Sequence, residues 1–293
     1  MERSRGILFG IGAYLIWGAF PLYWPLLEPA GAFEILAHRL IWSLVVMTVL
    51  VVVLRRATQF VALTRNRRQL GLLALAAVTI TCNWAGYIWG VTHGRVVEAS
   101  LGYFINPLVT MLLGVLVLRE RMRPLQWAAV GVAAVAVAVL TIDYGRVPWI
   151  AVLLAFSFGT YGLAKRLAGA GAFESLALET AIMAPVALIF VLGLAVRGES
   201  HFGTEGPGHA ALMMSSGIVT AVPLILFGAA AVRVPMVTLG LLQYLAPILQ
   251  FALGVFHFHE AMSTGRWIGF AIVWLALAVF TADSLRARQA NSA

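Results

Sequence analysis

A small set of polar side chains stands inside long apolar runs, and their types suit binding rather than bond-making. His38 and Arg39 share one run, Asn83 and Trp84 the next, and Tyr103 and Asn106 a third, with Lys165, Glu179, Gln243 and Tyr244 in later ones. A charge at the centre of a helix in hydrocarbon costs about 2.5 to 3.5 kcal/mol on insertion scales, so such groups are functional candidates by default. Amides and hydroxyls at that depth can hold a neutral or zwitterionic solute without the desolvation cost of a full charge. Asn83, Trp84, Tyr103, Asn106, Gln243 and Tyr244 are therefore expected to bind a small-molecule solute, and His38, Arg39, Lys165 and Glu179 to gate or couple. A structural reading competes for each. Arg39 can pair with Glu34 or snorkel towards headgroups, Lys165 can simply bridge Glu179, and buried amides can tie helices together. Pro107 and Pro247 follow the polar groups in two of the runs, and a proline within a helix frees the carbonyl four residues earlier. Those carbonyls belong to Tyr103 and Gln243.

Other chemistries find little support. In the run His257-Phe-His-Glu260 the histidines are two apart and point to different helix faces, so no metal is expected there. Neither a Walker A run nor a Gly-x-Gly-x-x-Gly loop occurs, nor Gly-x-Ser-x-Gly nor His-Glu-x-x-His, so no cofactor, no ATP drive and no enzymatic activity are expected. The single cysteine, Cys82, excludes a disulfide within the chain. An intramembrane enzyme acting on a lipid-linked substrate would need catalytic residues clustered at one membrane face, where the sequence offers only Arg119, Glu120 and Arg121. A non-transporting membrane sensor differs from a permease only in moving no solute.

Whatever these groups do, they are positioned by membrane helices. The chain has 293 residues, 61% apolar and 11% charged, where a soluble domain carries about a quarter charged residues. Spanning a bilayer takes roughly 20 apolar residues, and ten such segments follow one another, at 6–26, 33–54, 70–92, 98–118, 125–142, 148–168, 173–196, 210–232, 235–256 and 265–283. They are continuous rather than alternating, which excludes a barrel. The first contains Tyr14, Trp17 and Pro21 and exceeds a leader's apolar stretch, so it is expected to be a retained span. The net charge of +8 reflects orientation signals rather than nucleic acid: fifteen arginines and lysines fall on one set of alternate connections and four on the other, placing both termini in the cytoplasm. Gly86, Gly90 and Gly94, and then Gly265 and Gly269, recur every four residues as small-residue faces for close packing. The second of these faces also leaves a homodimer open.

The chain repeats itself. At a shift of 140 residues, 107–143 matches 247–283 at 12 of 37 positions, pairing Pro107 with Pro247, Gly114 with Gly254, Glu120 with Glu260 and Asp143 with Asp283. Five spans per copy is odd, so the second copy enters the membrane upside down, with halves at 1–143 and 144–293. Inverted repeats meet near the midplane, where alternating access exposes one site to either side. The central wall is expected from the third, fourth, eighth and ninth spans, with Pro223 breaking the eighth.

The run Glu98-Ala-Ser-Leu-Gly-Tyr-Phe-Ile-Asn-Pro-Leu108, the pair His38-Arg39 before Ile41-Trp42, Asn83-Trp84, and Gln243-Tyr244 before Pro247 resemble the RarD subfamily of EamA permeases in the drug/metabolite transporter superfamily. The resemblance covers essentially the whole chain. It implies an all-α polytopic membrane protein, ten transmembrane helices as two inverted five-helix EamA repeats, and a permease for a small metabolite or drug-like solute, with proton coupling as one mode of drive. It implies no particular substrate.

Overall fold

The computed structural model describes residues 2–119, 121–231, 233–234 and 236–292, so Glu120, the first repeat's closing glutamate, lies outside the described residues. So do the side chains of Arg3, Arg286 and Arg288, three of the arginines that set the charge bias. Runs of Leu, Val, Ile and Ala satisfy every backbone group internally only as helices, and helices are what form. They are α1 (Glu2–Gly18), α2 (Phe20–Tyr23), α3 (Ala32–Val53), α4 (Ala57–Arg65), α5 (Arg67–Thr92), α6 (Val96–Leu118), α7 (Pro124–Tyr144), α8 (Trp149–Ala168), α9 (Ala172–Arg197), α10 (Pro207–Ala231), α11 (Met236–Leu242), α12 (Leu245–Ala252) and α13 (Thr264–Ser292). Among the described residues nine helical segments are long and apolar enough to cross a membrane, and a bent pair at the N-terminal end makes ten. Outward positions such as Ile142, Val186, Ile189 and Val196 are large, apolar and exposed, as a lipid-facing surface requires.

Among the described residues two spans are interrupted, and neither interruption falls in the eighth. The first bends by 43° between α1 and α2, then tightens into a 3-10 turn at Trp24–Leu27. Pro21 and Pro25 explain this, since each lacks the N–H that would continue the helix. The ninth stops at Gln243 and Tyr244 and resumes as α12, where Pro247 falls in the first turn and its missing N–H costs nothing. It then ends in a π-helical turn, Leu253–His257. Pro223, by contrast, sits inside an uninterrupted α10.

Short polar segments finish the helices. The basic connection at 55–69 contains a helix of its own, α4, whose Leu63 packs with Leu73, Ala168 and Leu178. Asn66 then caps α5, its side chain accepting from the N–H groups of Arg68 and Gln69.

The spans interlock by a regular rule. The extensive interfaces between spans not adjacent in sequence are α3 with α9, α6 with α12, α7 with α13, α5 with α8, α1 with α10, α6 with α8, α1 with α12, α3 with α10 and α5 with α9. Numbered as spans, each interface either maps onto itself or onto another in this set when five is added to every span. Small residues set the closest crossings. A Cβ on Gly217 of α10 would lie 2.4 Å from the Trp42 carbonyl oxygen of α3, and one on Gly86 of α5 would lie 2.6 Å from Leu153 of α8. Gly265 and Gly269 pack within the chain against Asp143 and Leu140 of α7. Gly94, however, serves a turn, with φ +63° after the end of α5.

Candidate functional site

Arg39 lies seven residues past the start of α3, about 10 Å into the span at 1.5 Å per residue. Its side chain is carried inward to where the broken first span meets α5 and α10. The guanidinium carbon stands 3.9 Å from the Trp84 ring centroid, 4.9 Å from that of Trp24 and 5.6 Å from that of Phe20. Nε donates to Thr220 Oγ1 at 3.0 Å, and that hydroxyl donates in turn to the Ser216 carbonyl at 2.9 Å. Nη1 is buried and has no hydrogen-bond partner among the described residues. The phenols of Tyr103, Tyr87 and Tyr23 are close enough to interact electrostatically with the charge.

Among the described residues no carboxylate reaches Arg39. Glu34, the partner offered by the same helix, instead accepts from the His201 N–H at 2.7 Å and from Ser200 Oγ at 3.2 Å, with His201 Nδ1 at 2.8 Å from its other oxygen. The energetic balance follows. An unpaired buried ion costs several kcal/mol after relaxation, whereas cation–π contacts return about 0.5 to 2 kcal/mol each and one hydrogen bond to a neutral group about 1 kcal/mol. The guanidinium cannot relieve the strain by losing its proton.

Around this cation the tyrosines and amides differ in how far they are committed. Tyr103 donates to Asn83 Oδ1 at 3.1 Å, while Asn83 Nδ2 lies 3.0 Å from both the Leu154 carbonyl and Ser157 Oγ. Asn83 is 1% exposed and its amide is fully used in joining α5, α6 and α8. The Tyr23 hydroxyl donates to the Leu212 carbonyl at 2.7 Å, tying the bent span to α10. The Tyr87 hydroxyl lies near the Gln250 amide without a well-formed hydrogen bond, and Gln250 Oε1 is unsatisfied as well. Trp24 Nε1 is a further buried donor with no partner.

The structure thus gathers Asn83, Trp84 and Tyr103 with Arg39, and places the remaining binding candidates elsewhere. Asn106 lies a turn further along α6 and accepts from Thr110 Oγ1 at 3.3 Å. Gln243 and Tyr244 occupy the break in the ninth span, with Tyr244 packed against the apolar cluster that contains Phe104, Phe251 and Phe270. His38 is buried against Phe202, ring centroids 4.5 Å apart, and neither ring nitrogen has a partner. On the other side of the molecule Lys165 Nζ stands 3.0 Å from Glu179 Oε1.

Five residues at this site escape sequence reasoning: Phe20, Trp24, Tyr87, Thr220 and Gln250. One signal locates Arg39 more sharply. Gly31-Ala-Phe-Glu34-Ile-Leu-Ala-His-Arg39 matches Gly171-Ala-Phe-Glu174-Ser-Leu-Ala-Leu-Glu179 at six of nine positions, again at a shift of 140. Gly31 and Gly171 both cap their helices in extended conformation, and Glu34 and Glu174 are both buried. Arg39 and Glu179 therefore occupy equivalent positions, one cationic without a counter-ion and one anionic with Lys165.

The opposite case is a polar cleft of about 300 Å³ at the end of the bundle, beside the starts of α6 and α8. Its carboxylates are engaged: Glu98 pairs with Arg146 at 2.5 Å and caps the Ile150 N–H at 3.1 Å. Glu260 accepts from the N–H groups of Val96 and Val97. Burial raises the Glu260 carboxyl to about 7, with those two N–H donors and Arg266 pulling the other way. Arg146 is shifted upward by its hydrogen bonds to Glu98. This cleft joins loop ends and offers a ligand less than the Arg39 site does.

A bundle of about ten apolar helices, the first of them bent beside a buried polar site, defines a polytopic membrane protein of transporter type. The EamA-like transporter family model matches residues 4–142. Protein RarD of Streptomyces exfoliatus is 56% identical over all of this chain and 93% of its own length, and the uncharacterized transporter YojE of Bacillus subtilis is 40% identical over 99% and 98%. A crystal structure 19% identical in sequence superposes with a TM-score of 0.61 over 97% of this chain and 99% of that one, which speaks to the fold alone. The chain belongs to the RarD subfamily of EamA-like transporters, within the drug/metabolite transporter superfamily.

Proposed function

We propose that this membrane transporter moves a small solute across the bacterial inner membrane by alternating access, with the solute held beside Arg39, Trp84 and Tyr103. The observation that carries this reading is the buried guanidinium without a carboxylate, set where the broken first span crosses α5 and α10. A membrane protein retains so costly a group where it does work on something that is not part of the fold. Two inverted halves, 1–143 and 144–293, fit the five-span exchange of the interfaces and the equivalence of Arg39 with Glu179. The charge bias puts both termini in the cytoplasm, so a reporter active only in the periplasm stays silent when fused at Ala293.

Asn83 serves as a brace that holds Tyr103 at the site, with Gln243 and Tyr244 forming the hinge of the ninth span. Lys165 and Glu179 form the inner counterpart. Proton coupling through His38, which faces Glu34 and His209, or through Glu179 predicts flux that follows an imposed pH gradient in proteoliposomes. An untargeted metabolite profile of cells with and without the gene tests the transport reading. A solute that changes compartment only in expressing cells supports it, and indistinguishable profiles contradict it.

A further inference from the structure

The charge at the site identifies the class of solute. Arg39 is 3% exposed, its Nε is spent on Thr220, and its Nη1 is unpartnered. Among the described residues every buried carboxylate already has a cation or a set of N–H groups of its own: Glu34 with His201, Glu98 with Arg146, Glu174 with Arg56, Glu179 with Lys165, and Asp283 with Arg123. The equivalent position in the other half is neutralised from within, so the asymmetry is confined to Arg39. We propose that Arg39 anchors the carboxylate of a monoanionic solute whose aromatic or apolar body lies among Trp24, Trp84, Tyr87 and Tyr103; this rests on the permease reading above.

Three features restrict the class. A guanidinium presents paired N–H donors to a planar carboxylate, and Nη1 of Arg39 has no partner among the described residues. A single cation among aromatic rings balances one negative charge, which disfavours phosphate dianions. No unpaired carboxylate stands beside it among the described residues, so an amino-acid ammonium group finds no counter-ion. The unsatisfied Tyr87 hydroxyl and Trp24 Nε1 supply further donors for carboxylate oxygens.

The test uses the full chain in detergent, following thermal unfolding and tryptophan fluorescence with matched probes: phenylacetate and indole-3-acetate against phenylacetamide and indole-3-acetamide, with inorganic phosphate alongside. The carboxylates raise the unfolding temperature by several degrees and shift the fluorescence, while the amides and phosphate do so at least tenfold less potently. Arg39→Gln abolishes the difference between acid and amide, and Arg39→Lys keeps a weaker one. Should Arg39→Gln fail to fold, Tyr87→Phe and Trp84→Leu, each weakening the carboxylates at least threefold, take its place. Equal effects of acids and amides, a phosphate effect matching the acids, no response to either acid, or an undiminished response in the variants would overturn the assignment. If proteoliposomes carrying the parent chain move uncharged solutes but no monocarboxylate, and Arg39→Gln moves the same solutes, the carboxylate class falls and the permease reading stands.

Discussion

The Arg39 guanidinium lies 3.9 Å above the Trp84 ring, a buried cation resting on an aromatic face with no carboxylate beside it. Structural ion pairs in membranes come as pairs, and this one is missing its second member. The relation separates a role in stability from a role in binding, because the two respond oppositely to removal of the charge.

Replacing Arg39 by Met removes three cation–π contacts and one hydrogen bond but also the desolvation cost of an ion without a counter-ion, which amounts to several kcal/mol. Arg39→Met should therefore unfold at the same temperature as the parent or a few degrees above it while losing transport. A loss exceeding about 2 kcal/mol in detergent unfolding would mark Arg39 as a structural residue.

Lys165 and Glu179 should behave in the opposite way. Glu179→Gln leaves Lys165 partly buried without its partner and should cost about 2 kcal/mol, below the 3 to 5 kcal/mol of fully buried pairs because Lys165 is 21% exposed. The double variant Lys165→Met with Glu179→Gln should recover most of that loss. A double-mutant cycle with no coupling energy would contradict the pairing.

Much of this was legible in the sequence, for identifiable reasons. Hydropathy located the spans because lipid demands the same of every one of them, whereas the bend of the first span at Pro21 and Pro25 was not read from the sequence. Helix α4 was hidden because its nine residues are far too few to give a membrane signal and its Leu63 contact lies across the chain. The convergence of Phe20, Trp24, Trp84 and Thr220 on Arg39 was not legible, since tertiary packing brings three separate spans to it. Pro223 misled, because neighbouring helices let a proline sit within a continuous membrane helix.

Gly217→Ala probes the scaffold behind the site. Its Cβ would meet the Trp42 carbonyl at 2.4 Å, so α10 must move and carry Thr220 away from Arg39. A loss of about 1 to 3 kcal/mol is expected, with weaker solute binding; parental unfolding and binding would show that the crossing is loose.

Glu260 gives the protein a pH dependence. Its folded carboxyl sits near 7, above the ordinary value of 4.5, with Arg266 and Glu98 as its charged neighbours. The folded state therefore holds the proton more tightly than the unfolded one, so stability from this group is greatest at low pH and declines as pH rises from about 4.5 to 7. The decline should amount to roughly 1 to 3 kcal/mol. Glu260→Gln should remove that component from the unfolding temperature measured between pH 5 and 8; an unchanged profile would assign the dependence elsewhere.

The most direct test of a solute site at Arg39 is release from proteoliposomes. Vesicles loaded with a deproteinised bacterial extract, carrying the parent chain, Arg39→Gln or no protein, are diluted and their retained contents read by mass spectrometry. The parent should lose a restricted group of small solutes, enriched in monocarboxylates, that both other preparations retain. Identical retention in all three, or the same solutes lost through Arg39→Gln as through the parent, would contradict the account.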